Sequence, residues 1–473
     1  MSVRLREALR EAAAEVPAYP VHDRAVRTAR RTRRRMAAAV AAVLVLVALV
    51  PLAVRDGGPA TIAPAGVDGP ALPDRIGLPG FGSLRATDRP RLGPASVVFS
   101  GQARGLTGLI DENGTVGIVG ADVDRYRTWT VGHEAPAGEQ VLLSPDGRRL
   151  AVPAGSWEHP RIDLVDLVDG TVRRVPSPRE GSTLTEPAGW APDGTALVVR
   201  DTTPANPEGS AYVNTLSLVR LDTGRAVRLL ETEQLPIFGT PVAFSADGSR
   251  LAFQVGDKVL VTAADGQSIS SFPLPPESGL AGKGAWLPDG TLALVSRDPD
   301  TTRWRLRRVD PASGRDLGVL ALPAVDGVTT IRLLGWWPDG SALVVGYRPD
   351  PDSPERFDGP VDMDQRTVYP NVQTIRVLGL APGAAAPATL LTAPDQVLAI
   401  DVADAVVRAG RVRAADPPSG PGGRVWWAAG AAALVLGGLV AARLLRRRRR
   451  AHRSLGGAHL VGEEGQHGRR QGG

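Results

Sequence analysis

The chain has 473 residues, 43% of them hydrophobic and 22% charged, and it contains no cysteine. Such a chain is too apolar for a disordered protein and long enough for one large repeat domain with tails; without Cys it has no disulfide, thiolate nucleophile or Cys-based metal site. Residues 1–55 carry eleven Arg against four acids and residues 424–473 ten against two, so residues 56–423 hold 34 basic and 44 acidic groups, and this acidic middle excludes nucleic acid as its partner.

Residues 1–35 read as a basic cytoplasmic leader. Within them VRLREALREAAAEV sets Leu5, Leu9, Ala12 and Val16 on one helical face and stops at Pro17. A short helix before an Arg run suits an anionic lipid surface. The leader also resembles those of actinobacterial membrane proteins encoded near extracytoplasmic-function sigma factors. That resemblance implies an alternative role, a transmembrane signalling protein whose residues 1–35 hold a cytoplasmic regulator such as a sigma factor.

Residues 36–54 are nineteen uncharged residues between Arg35 and Arg55, enough for a transmembrane helix. Residues 51–55 offer no clean small-x-small cleavage site, so the segment is read as an uncleaved anchor. A Pro/Gly-rich linker, 55–89, follows. A second uncharged run, 425–442, lies between Arg424 and Arg443 with Trp426 and Trp427 at one border, and 443–473 form an Arg-rich tail with a disordered Gly-rich end. In the second run Ala429, Ala433, Gly437 and Ala441 repeat at steps of four. The Arg flanks place both termini in the cytoplasm and the middle outside it, in the cell envelope.

Between the two runs, residues 90–416 repeat one sentence five times: LLSPDGRRLAV, GWAPDGTALVV, AFSADGSRLAF, AWLPDGTLALV and GWWPDGSALVV. Their turn residues are Asp146, Asp193, Asp247, Asp289 and Asp339, roughly 48 residues apart, a period that predicts a β-propeller. In each, Asp caps nearby backbone N–H groups and Gly supplies positive φ. Three residues earlier stand Leu143, Trp190, Phe244, Trp286 and Trp336, expected to pack between neighbouring sheets. Leu150 and Val152, and their counterparts four and six residues after each Asp, alternate as in a strand with one buried face. Weaker turn signals near Asn113-Gly114 and Asp395 raise the expected number of blades to seven, with six as the alternative. The fold class is therefore all-β, a propeller flanked by two transmembrane α-helices.

The pattern Trp190, Pro192, Asp193, Gly194, Leu197, Val199 resembles the repeat of TolB-like propellers, relatives of WD-type repeats that also occur in prolyl oligopeptidases. The resemblance covers residues 140–350 best. It implies a fold and a role as a protein-binding or ligand-gating platform, with an envelope protein or ligand as partner.

Catalytic sets are missing from the sequence. The middle holds two histidines, His133 and His159, and no G-x-S-x-G elbow; His133-Glu134 lacks the second ligand of H-E-x-x-H, and SGLAGKG around Lys283 departs from a phosphate loop. An acidic stretch, Asp350, Asp352, Glu355, Asp358, Asp362 and Asp364, lacks the spacing of a calcium loop and reads as solvated surface. No enzyme activity, cofactor or metal is expected.

Overall fold

The computed structural model describes residues 69–418 except 106–107, 112–113, 207, 209, 234–241, 300 and 352–371, together with 423–456, Glu7 and Glu11. The chain divides into two units, residues 62–424 and residues 1–61 with 425–473.

The first unit is built from strands. A short strand β1 (Leu72–Pro73) leads into β2 (Ala95–Gly101), β3 (Thr115–Gly120) and β4 (Tyr126–Thr130). Blade two is β5 (Leu142–Leu143), β6 (Arg149–Ser156), β7 (His159–Asp166) and β8 (Val172–Pro176); blade three is β9 (Leu184–Trp190), β10 (Ala196–Pro204), β11 (Tyr212–Arg220) and β12 (Ala226–Thr232). Blade four is β13 (Val242–Phe244), β14 (Arg250–Val255), β15 (Lys258–Ala263) and β16 (Ser268–Pro273); blade five is β17 (Ser278–Leu280), β18 (Leu292–Arg297), β19 (Trp304–Val309) and β20 (Asp316–Val319). Blade six is β21 (Ile331–Trp336), β22 (Ala342–Pro349), β23 (Val372–Leu380) and β24 (Ala388–Thr392). The strands end with β25 (Val397–Val402), a helix α1 (Asp404–Ala409) and β26 (Val412–Arg413).

Among the described residues these strands form six four-stranded antiparallel sheets, the alternative count, and not the expected seven. The remaining sheet, blade one, has the order β25-β2-β3-β4, so its first strand comes from the far end of the ring domain. Phe99 pairs with Ile400 on one side and with Gly117 on the other. The two weak signals at Gly114 and Asp395 therefore precede strands of a single blade, β3 and β25, and counting them separately produced seven. That blade also has no Asp-Gly turn between its first two strands, because no chain connects β25 to β2 there. A second closure lies beside it: β1 pairs in parallel with β26, Leu72 opposite Val412.

Blades pack face to face through side chains of both signs of the pleat. Leu197 and Val199 of β10 join Ile162 and Leu164 of blade two, whereas Val198 joins Leu251 and Phe253 of blade four. The strand after each turn is thus buried on both faces, not on one as the alternation suggested, and so reads as a continuous apolar run. Burying a side chain such as Phe253 contributes about 1.5–3 kcal/mol.

Because neighbouring strands run antiparallel, the Asp-Gly turns and the third-to-fourth strand connections share one end of the ring, here called the turn face. The second-to-third connections and the links between blades form the opposite loop face.

In the second unit, α2 (Gly423–Gly456) runs 34 residues, about 51 Å at 1.5 Å per residue. Among the described residues it holds the one candidate span, Ala429–Arg447, by length and composition. The expected span 425–442 falls in this helix. The first expected span, 36–54, lies outside the described residues.

Candidate functional site

The repeated Asp residues lie in turns of one design. Gly147 N–H donates to Ser144 O (2.8 Å), and the same bond recurs from Gly194, Gly248, Gly290 and Gly340. Each Asp then accepts the N–H two residues on: Asp146 from Arg148 (3.0 Å), Asp193 from Thr195 (2.9 Å), Asp247 from Ser249 (3.1 Å), Asp289 from Thr291 (3.0 Å) and Asp339 from Ser341 (2.9 Å). Hydroxyls of Ser245 and Ser249 bond Asp247 as well and hold its carboxyl at about 2. The five sit on five different blades, each within its own turn.

The large residues three positions earlier lie at the blade junctions. Trp190 Nε1 donates to Leu142 O of the preceding blade (3.5 Å), Trp286 Nε1 to Ala243 O (3.1 Å) and Trp336 Nε1 to Gly284 O (2.9 Å). Leu143 is buried, whereas Phe244 and Trp336 are half-buried. Sequence reasoning missed the cations that cover two of these rings: Arg149 stands 5.3 Å from the centre of Trp190, and Arg250 4.5 Å from that of Trp286. Their signal was available, since each follows its turn Asp by three residues in the blade before the tryptophan.

Toward the axis lies a set of polar groups from different blades. Lys283, which follows β17, reaches past blade six to Asp401 (2.9 Å), Asp404 (2.9 Å) and Val402 O (2.5 Å) in and after β25. Burial works against charge on this ammonium, but the two carboxylates outweigh it and raise its pKa. Arg332 of β21 likewise reaches Gly138 O (2.5 Å), ahead of blade two, and Ile400 O. Leu143 N–H donates to Asp401 (3.0 Å), and Leu280 N–H to Gln254 (3.0 Å), so side chains of one blade cap the first strand of the next. Arg200 pairs with Glu186, which also accepts from Gln140, and Arg297 pairs with Glu277 (2.8 Å).

Helix α1 follows β25 on the turn face. Ala403 N–H, at its start, bonds Ser96 O of blade one (3.0 Å), and Ala405 N–H bonds Pro145 O of blade two (2.7 Å). Asp404 meets Lys283 of blade five, and Val407 lies against Gly335 of blade six, where a Cβ would come within 2.9 Å. One short helix thus touches four of the six blades.

The loop face is different. Exposed Trp157 tips the β6–β7 hairpin and exposed Tyr212 opens β11 on the neighbouring blade. His133 and His159 are exposed on this face too. Of the expected acidic stretch only Asp350 belongs to the described residues, and it has an interaction partner. Among the described residues no three of His, Asp or Glu converge where they could hold a metal ion.

No protein-family model matches the chain, and no curated protein is significantly similar to it. Solved structures similar to it include TolB from Acinetobacter baumannii, at 17% identity over 63% of this chain and 67% of that one, TM-score 0.37. They also include an oligogalacturonate lyase from Vibrio parahaemolyticus, at 16% identity over 65% and 81%, TM-score 0.39. A TolB-like structure from Agrobacterium tumefaciens shares 17% identity over 47% and 82%, TM-score 0.29. Likenesses this distant do not choose between binding and catalysis, and the propeller stands on its own strand order.

Proposed function

We propose that this chain is a non-enzymatic binding platform, a six-bladed propeller held outside the cytoplasm at the cell membrane. The observation that carries the reading is where the ionisable groups are engaged. Lys283 of blade five is tied to Asp401 of β25 on another blade, Arg200 and Arg297 are tied to Glu186 and Glu277 of their own blades, and α1 lies against four blades, so these charges serve the ring itself. The exposed hairpins of the loop face remain as the surface that meets other molecules.

Support for the membrane part comes from two places. The apolar side chains of α2, Leu434, Val435, Leu436 and Leu439, are each more than half exposed, as a lipid-facing helix requires. The pairing of Leu72 with Val412 brings the incoming and outgoing chain to one point, which suits tethering at both ends to one bilayer. Arg flanks orient both ends inward.

The test places a photo-crosslinking residue at Ser156 on the loop face and at Gln267 on the turn face of the full chain in cells. The expected result is a discrete adduct from one face, with a partner that binds the purified chain unchanged. Chemical turnover of that partner, or no adduct from either face, would contradict the reading.

A further inference from the structure

Under the membrane reading the far end of α2 lies in the cytoplasm, and what it touches there is open. We infer that residues 443–456, the part of α2 beyond the span, bind anionic phospholipid headgroups of the cytoplasmic leaflet through one arginine-lined side.

Helix α2 does not stop where its apolar run stops. The uncharged run ends at Ala442, and the same helix continues to Gly456. At 1.5 Å per residue this adds about 21 Å, whereas the headgroup layer on each side of the roughly 30 Å hydrocarbon core is about 5–8 Å thick. The extension therefore runs through the headgroups and past them. Seven Arg lie between Arg443 and Arg453 inclusive, and no Asp or Glu stands between Asp416 and Glu463. Arg443, Arg446 and Arg447 are exposed, and none has an acidic partner among the described residues.

The spacing of these Arg selects the ligand. Arg443, Arg446, Arg447, Arg450 and Arg453 recur at steps of three and four, so on a helix of 3.6 residues per turn they fall within about a third of the circumference. Leu444, Ala451 and Leu455 make an apolar strip along one border of that stripe. A topology signal counts the basic residues near a span and is indifferent to the side they occupy. A basic stripe beside an apolar strip is instead the pattern of a helix that lies against an anionic surface. Spanning helices tilt by about 20°, and a tilt turns one side of the extension down toward the bilayer. A free phosphate engages one or two guanidinium groups, whereas a leaflet offers phosphates in a plane and each Arg near it adds attraction. The stripe as a whole therefore fits the leaflet.

The inference rests on the membrane reading. To test it, the full chain carries an environment-sensitive fluorophore at Ser454→Cys, in register with the stripe, and is placed in nanodiscs of phosphatidylcholine with or without phosphatidylglycerol. Both kinds of disc contain a lipid with a nitroxide on its headgroup as quencher. A chain that does not co-elute with discs would remove the membrane reading; one that inserts but is quenched equally in both lipids would overturn this inference alone. Quenching should be about threefold stronger in the phosphatidylglycerol discs and should fall to the phosphatidylcholine value at about 1 M salt. The variant Leu445→Arg, Arg446→Leu, Arg450→Ala, Ala451→Arg, His452→Arg, Arg453→His keeps composition and charge but breaks the stripe. It should insert normally and lose most of the difference between the two lipids. Quenching of that variant equal to the parent's would show that charge alone matters and overturn the one-sided site. Inorganic phosphate should relieve quenching no more than chloride at equal ionic strength; a larger relief would assign the stripe to free phosphate and overturn the inference as well.

Discussion

Trp286 donates its indole N–H to Ala243 O of the preceding blade while Arg250 of that same blade covers its ring at 4.5 Å. One side chain is thereby fixed from two directions by its neighbour, and the packing between blades four and five depends on it. Truncation at Trp286, which is 7% exposed, should cost about 3–5 kcal/mol in urea unfolding. Trp336→Ala should cost less, because that ring is half-buried and no cation is stacked on it among the described residues. Equal losses at the two sites would show that neither burial nor the stacked Arg matters.

The turns divide the work between Asp and Gly. Gly147 has φ +70°, and a Cβ there would stand 2.2 Å from Ala95 O, so Gly147→Ala should lose about 1–3 kcal/mol or more. Asp339→Asn keeps an oxygen to accept from Ser341 and should change thermal stability and binding little. A large loss of partner binding from Asp339→Asn, with unchanged stability, would instead make that carboxylate part of a site.

Two carboxyls should give the pH profile opposite slopes. Asp247 is held at about 2 by Ser245 and Ser249, below its unfolded value, so the stability it contributes is complete above the unfolded pKa and fades as pH falls toward 2. Asp201 is raised by burial, against the pull of Ser177, Ser182 and Thr185. Its folded form keeps the proton longer than its unfolded form, so stability is lost as pH rises from the unfolded pKa through the folded one. Asp201→Asn should remove that loss and leave the chain at least as stable at neutral pH. Urea midpoints at pH 4, 5.5 and 7 check this; a variant less stable at pH 7 with the same slope would contradict it.

Local chemistry carried most of the fold into the sequence. Each Asp-Gly turn is written within a few consecutive residues, so five blades could be read directly. The blade count failed where the information is not local. β25 and β2 lie at opposite ends of the ring domain, and nothing in either segment announces that it pairs with the other. The same applies to the axis: Lys283 meets Val402 from 119 residues away and looked at first like a failed phosphate loop. Trp157 and Tyr212 stand out only once the hairpins place them on one face, because an exposed aromatic and a core aromatic are the same letter in the sequence.

The central claim, a membrane-held propeller facing away from the cytoplasm, has a clean test because the chain contains no cysteine. Single variants Ser156→Cys, on a loop-face hairpin, and Ser454→Cys, at the end of α2, would be exposed to a membrane-impermeant maleimide in intact spheroplasts. The account predicts labelling of Ser156→Cys at once and of Ser454→Cys only after lysis. Labelling of Ser454→Cys before lysis, or protection of Ser156→Cys, would contradict it.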